Sequence, residues 1–310
     1  MVGPNVPEEQ SLRGRVSLSA TRRIVLSRDG FELAVAIRGA EMQSFIGPDG
    51  HEYLWQAGPV WPRHAPILFP AICRHPGDVL RIDNREYPLG HHGFARDLDF
   101  EVTDQGPDHL TLTLNDSPCT SRHYPFPFRL DVSYRLTKSG VLVEFRVHNP
   151  GPRTAPFGIG SHPAFKWPLD PAAAAEEHTV LFERPEPGNI RRTHDNLLLP
   201  EVFRNPSLAS GQLKLGPEHF IEGAIILEAL RSSALQYRSP SGRSIRLRWS
   251  GFTDLALWSP PKGRFLCIEP WRGLPAPRDW SGDEGSRPDL EHLSPKETRS
   301  YGYRIDIETP

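Results

Sequence analysis

The strongest constraint on how this chain can fold is an alternation between residues 130 and 147. Leu130, Val132, Tyr134 and Leu136 are separated by polar neighbours, Lys138-Ser139-Gly140 interrupts, and apolar residues then return through Val141, Val143, Phe145 and Val147. In an extended chain successive side chains point to opposite faces, so this period of two describes strands with one face against a core. Two such runs joined by a glycine-containing turn form an antiparallel hairpin. Its apolar face needs a second layer to cover it.

Weaker copies of the same signal fill much of the chain. Ile24–Ser27 and Phe31–Ile37 flank Arg28-Asp29-Gly30, a hairpin turn with glycine available for positive φ. Met42–Ile46 and Glu52–Trp55 extend this into a meander around Pro48-Asp49-Gly50. Val79–Ile82 with Glu86–Leu89, and Ala234–Tyr237 with Ile245–Trp249, make further pairs, and Tyr301–Ile307 closes the chain. Helical patterning is nearly absent; Pro171–Glu177 could make two turns starting from proline. With 33 prolines among 310 residues, long helices and central strands would be interrupted repeatedly. The expectation is an all-β, antiparallel sandwich with very little helix. No long linker divides the middle, so residues 23–310 are expected to form a single domain. Residues 1–22, polar and without periodicity, are expected to be a flexible N-terminal extension.

Charge narrows the possible partners. Lys and Arg number 36 against 38 Asp and Glu, a net charge of −2, which offers no electrostatic case for nucleic acid or an anionic membrane. Three cysteines, Cys73, Cys119 and Cys267, are too few for a disulfide scaffold and lack a paired zinc-binding spacing. No apolar run reaches membrane-span length, and the first residues lack a secretory pattern. A cytoplasmic protein with reduced thiols is expected.

Several residues could do chemistry. Thirteen histidines raise the question of metal, but no HExxH or similarly tight spacing occurs. Adjacent His91 and His92 would face opposite ways on a strand, so no metal site is expected. His162 lies in Gly160-Ser161-His162-Pro163-Ala164-Phe165. Such a histidine can be a structural residue bonded to a backbone carbonyl, or a proton carrier that titrates near neutrality. Glu269 follows the apolar run Phe265-Leu266-Cys267-Ile268. A carboxylate ending a buried strand either pairs with a cation or keeps a raised pKa suited to a general base. Tryptophans and phenylalanines near these polar segments suit the C–H faces of sugar rings, although most of the seven tryptophans are expected in the core.

Taken together, the segments resemble the aldose 1-epimerase (galactose mutarotase) family, in its shorter bacterial branch. The likeness runs from about Ile24 to the C-terminus. It rests on Trp61 with Leu68-Phe69-Pro70 and Arg74, on His92-Gly93-Phe94-Ala95-Arg96, and on Tyr124-Pro125-Phe126-Pro127-Phe128. It continues through Gly160–Phe165, Leu257-Trp258-Ser259 and Cys267-Ile268-Glu269-Pro270-Trp271-Arg272-Gly273. The resemblance implies a β-supersandwich that interconverts sugar anomers without cofactor or metal, its partner a small-molecule sugar and its state a monomer or homodimer. His162 is then the general acid and Glu269 the general base, with Arg74, His92 and Trp258 binding the sugar. Relatives carry an acidic sugar-binding residue where Gly223 stands here; Glu222 is one residue early and would point the other way on a strand, so that role is not transferred. Two alternatives share the scaffold: a hexose-6-phosphate 1-epimerase, which needs extra arginines over the cleft, and a non-catalytic carbohydrate-binding or sensing protein.

Overall fold

In a computed structural model, which describes residues 22–310, the chain is built almost wholly from antiparallel strands. The extension expected over residues 1–22 lies, but for Arg22, outside the described residues. The alternating hairpin of the sequence is present as Arg129–Thr137 paired with Gly140–His148, Tyr134 opposite Val143. These two strands sit within a nine-stranded sheet. On one side follow Thr298–Glu308, Ser244–Ser250, Ala234–Arg238, Thr179–Phe182 and Gln212–Lys214; on the other, His109–Asn115 and Glu101–Gln105. A six-stranded sheet supplies the second layer. Its main path runs Ile225–Leu227, Asp254–Trp258, Phe265–Arg272, Ile159–Ser161, Ile67–Leu68, and Ala164–Lys166 also pairs with Phe265–Arg272.

One apolar cluster joins the layers, taking Val132, Tyr134, Val143 and Phe145 from the larger sheet and Ile159, Leu255, Leu257, Leu266 and Ile268 from the smaller. The polar tips of Tyr303 and Tyr237 inside this layer are satisfied across it. Tyr303 shares a 2.9 Å hydrogen bond with Ser161, and the Tyr237 hydroxyl donates to the Lys166 carbonyl at 3.0 Å. Burial of hydroxyls is tolerated because each finds a partner.

Arg23–Arg28, Phe31–Ala36 and Met42–Ile46 form the expected meander, with Asp29 and Gly30 at positive φ in the first turn. The expected fourth strand, Glu52–Trp55, is reduced to isolated bridges. The Glu52 carboxylate accepts the backbone N–H groups of Phe45 and Leu54, at 2.9 Å each, in place of a continued ladder. The two turns of helix expected over Pro171–Glu177 are absent. Only a 3-10 turn, Ala175–Glu177, forms, because Ala174 is extended (φ −68°, ψ 147°) and leaves too short a run to nucleate a helix. Among the described residues, none of the helical segments is more than a short 3-10 turn, and no helix is long and apolar enough to cross a membrane.

One loop needs closer description because it carries site residues. The Phe69 carbonyl accepts hydrogen bonds from Phe94 (3.0 Å) and Ala95 (3.2 Å), pinning the segment His91–Arg96 to the strand Ile67–Leu68. Gly93 makes this approach possible. Its φ is +70°, and a Cβ there would lie 2.2 Å from the Phe69 oxygen. Gly93→Ala should therefore lower unfolding free energy by about 2–4 kcal/mol, combining a left-handed alanine with overpacking. Chemical denaturation measures this; a variant within about 0.5 kcal/mol of wild type, the range of an ordinary surface change, would show that the loop is free to shift.

Candidate active site

The strand Phe265–Arg272 positions the site by its parity. Leu266 and Ile268 belong to the core between the sheets. Phe265, Cys267 and Trp271 instead cluster on the opposite face, with Ala164, Trp55, Trp61 and Trp258 at one end and Leu68, Ile72, Cys73 and Ala256 at the other. Glu269 shares that outer parity and lies opposite Ala256 in the ladder. His162 reaches the same face by the same logic. Ile159 is in the core and Ser161 bonds inward to Tyr303, so the next residue turns outward.

There the two meet. His162 Nε2 lies 3.3 Å from Glu269 Oε2, with His162 only 6% exposed and Glu269 1%. They line a cleft of about 270 Å³ together with Trp61, His91, His92, Arg63, Arg96 and Trp258. Trp61 stacks on the His162 ring at 5.0 Å and 29°, while Trp258 and His92 meet it edge-on at 5.7 Å each. The imidazole is thus fixed from three directions, and its Nδ1 has no hydrogen-bond partner.

Burial dominates the electrostatics. It pushes the Glu269 carboxyl well above the usual carboxylate range; Trp271 offers an indole N–H nearby but closes no hydrogen bond. The same desolvation lowers His162 to about 3, aided by His91 and Arg96. His92 is likewise held neutral by burial and by neighbouring His91. Its Nδ1 accepts the Cys73 N–H at 3.0 Å, so the ring proton sits on Nε2 as a donor.

The sequence expectations fare unevenly in space. His162, Glu269, His92 and Trp258 all line the cleft. Arg74 is not among the lining residues; its guanidinium is tied to Asp78, with Nε 2.7 Å from Oδ1. Glu222 lies outside the cleft and Gly223 within it. Arg63 and Arg96 supply the cleft's cations, Arg63 donating to the Arg96 carbonyl (3.2 Å) and to Asp97 (2.7 Å). Burial and Arg63 bring Arg96 down to about 10. Arg63 carries no signal in the sequence because it sits in no periodic pattern, whereas His91 directly adjoins the motif His92–Arg96.

The expected divergence of His91 and His92 is wrong. Their ring centroids are 3.9 Å apart, because His92 occupies a left-handed turn (φ +62°) and not a strand. With Cys73 they bring donor atoms within 4.8 Å of one another, as do His162, Cys267 and Glu269. Such donors could hold a soft metal ion, but Arg63 and Arg96 place positive charge against them, and burial keeps both thiols protonated. A larger cavity, about 580 Å³ along Trp167, Phe220 and Pro260, is a separate hollow whose lining includes neither His162 nor Glu269.

A family profile for aldose 1-epimerase matches residues 22–189. The LacX protein of Lactococcus lactis subsp. lactis is 32% identical over 281 residues, spanning 87% of this chain and 94% of that one. The chain belongs to the aldose 1-epimerase family. Among solved structures, a galactose mutarotase-like protein from Lactobacillus casei superposes with a TM-score of 0.87 at 30% identity, covering 93% of this chain and all of the other. A galactose mutarotase related enzyme from Lactobacillus acidophilus gives 0.87 at 28%, covering 93% and 98%. The two-layer architecture is therefore the galactose mutarotase-like fold, as the aldose 1-epimerase resemblance implied.

These protonation states have a consequence for stability. A carboxyl with a raised folded pKa contributes fully below its unfolded value, and the contribution is lost as pH rises toward the folded one. His91, lowered to about 4, His92 and His162 act in the opposite direction: they destabilise the fold as pH falls below the ordinary imidazole value of about 6.5. Glu269→Gln removes only the first effect. Its unfolding midpoint relative to wild type should thus rise between about pH 5 and pH 8; a constant difference would mean that Glu269 is ionised when folded.

Proposed function

We propose that this protein interconverts the α and β anomers of an aldose by opening and reclosing the sugar ring between His162 and Glu269. The observation that carries this reading is the 3.3 Å contact of a buried imidazole and a buried carboxyl in the small aromatic-lined cleft. O1 and O5 of an aldopyranose are both bonded to C1, so an acid and a base serving them must converge on nearly one point. Glu269 as carboxylate takes the O1–H proton, C1=O1 forms, the C1–O5 bond breaks, and O5 receives the proton of His162 Nε2. Rotation about C1–C2 presents the other carbonyl face, and closure runs the transfers backwards.

Proton bookkeeping supports the assignment. Ring opening begins with imidazolium and carboxylate and ends with neutral imidazole and carboxylic acid, one proton between them at both stages. Burial favours the second state in the empty cleft; transfer of one proton from the Glu269 carboxyl to His162 Nε2, which lies 3.3 Å from Oε2 without a hydrogen bond between them, restores the first. No net proton has to come from solvent. The His92 Nε2–H is a donor for a sugar hydroxyl and Trp258 an apolar face for the ring, while Arg74, bonded to Asp78 outside the lining, takes no part. A specific observation also favours the hexose-6-phosphate reading: Arg63 and Arg96 both line the cleft, and the Arg96 Nε makes no hydrogen bond, its carboxylate neighbour Asp97 Oδ2 lying 3.6 Å away.

Anomer-exchange NMR on glucose and glucose 6-phosphate tests both readings. Wild type should accelerate exchange of one or both, and His162→Asn and Glu269→Gln should each reduce the rate by about 10²–10⁴-fold. Greater efficiency on the phosphorylated sugar selects the 6-phosphate reading. Wild-type exchange at the spontaneous rate, with sugar still bound, would make the protein a sugar-binding or sensing protein instead.

A further inference from the structure

Glu41 does not line the cleft, yet it is buried and bonded to the chain that forms one of the cleft's walls. Its Oε1 accepts the backbone N–H groups of His64 at 2.8 Å and Ala65 at 3.0 Å. The stretch held in this way frames the reacting imidazole. Trp61, at its start, stacks on the His162 ring. At its end the Pro66 carbonyl accepts the His162 N–H at 3.0 Å, and the His64 carbonyl accepts that of Ala164 at 2.9 Å. Arg63, between them, lines the cleft.

Glu41 can hold this stretch because its own turn is fixed on several sides. Gly39, at φ +70°, donates its N–H to the Leu98 carbonyl at 2.7 Å, and a Cβ there would stand 2.6 Å from the Arg96 oxygen. The Tyr134 hydroxyl donates to the Ala40 carbonyl at 2.6 Å, and the Glu41 carbonyl accepts the Ala36 N–H at 2.8 Å. The turn between the strands Phe31–Ala36 and Met42–Ile46 is thus tied to the large sheet through Tyr134 and to the cleft wall through the Glu41 side chain.

We infer that Glu41 is a positioning residue for His162: its carboxyl sets the stretch Trp61–Pro66, and through that stretch the orientation of the imidazole toward Glu269. The inference rests on the proposed anomerase reading, in which His162 presents Nε2 to the ring oxygen. The property required is reach and not charge, because both bonds run from neutral N–H groups to a single oxygen. Shortening the side chain by one methylene withdraws the acceptor from both donors, and a buried N–H without an acceptor is costly enough to draw the backbone elsewhere. A displacement of about 1 Å at a reacting group can cost about 10²-fold in rate.

The test pairs Glu41→Asp, which keeps the charge and loses the reach, with Glu41→Gln, which keeps the reach and loses the charge. In NMR spectra the His162 ring protons, identified by their loss in His162→Asn, carry the ring-current shift of the Trp61 indole, and Trp61→Leu gives their position without it. Glu41→Asp should move them part-way to that position and lower kcat for anomer exchange by about 10–100-fold, with a smaller change in KM. Glu41→Gln should leave both at their wild-type values. Circular dichroism at the same temperature shows that each variant is folded. Wild-type ring signals and kcat in folded Glu41→Asp, or a Glu41→Gln variant as impaired as Glu41→Asp, would overturn the positioning role. If wild type accelerates exchange of no sugar, the anomerase reading fails by itself, and the ring-proton shifts still decide whether Glu41 orients His162.

Discussion

The strand Phe265–Arg272 is buried on both faces, and both core and cleft depend on that double burial. Its even-numbered residues Leu266 and Ile268 join the core between the two sheets, while its odd-numbered residues cover the outer face. A carboxyl on the outer parity would normally meet water. Here it does not, because Trp271 on one side and Cys267 on the other, under Trp61 and Trp258, exclude solvent from Glu269. The pKa of Glu269 thus follows from packing, and the strand alternation that places the core also decides the protonation of the site.

Layer architecture was legible because it depends on local alternation. The hairpin through Lys138-Ser139-Gly140 and the pair Ala234–Arg238 with Ser244–Ser250 form as their periodicity requires. Glu269 was legible as well, since an acid ending an apolar run carries its burial in its own neighbourhood. Arginine choice was not. Cys73 lines the cleft while its neighbour Arg74 turns to Asp78, a reversal over one residue that no pattern in the irregular segment encodes. The cations that do line it come from positions 63 and 96, brought together by a bond from Arg63 to the Arg96 carbonyl. His91 and His92 misled for a related reason. Alternation holds only in extended chain, and the left-handed backbone of His92 brings together two rings that a strand would separate.

Gly223 lines both the cleft and a neighbouring groove, and its lack of a side chain bears on the chemistry at Glu269. An acidic side chain at position 223, as the family resemblance leads one to expect, would have added a second carboxyl to a cleft that already buries one. Like charge nearby would raise the Glu269 pKa further and make its carboxylate form harder to reach. Glycine removes that repulsion, and Glu222, one residue earlier, carries its charge on the exposed groove side. Arg63 and Arg96 are then the cations that line the cleft, and Arg96, with His91, disfavours the His162 cation that burial already penalises. The neutral form of the imidazole is thus reinforced by a cation that periodicity did not reveal.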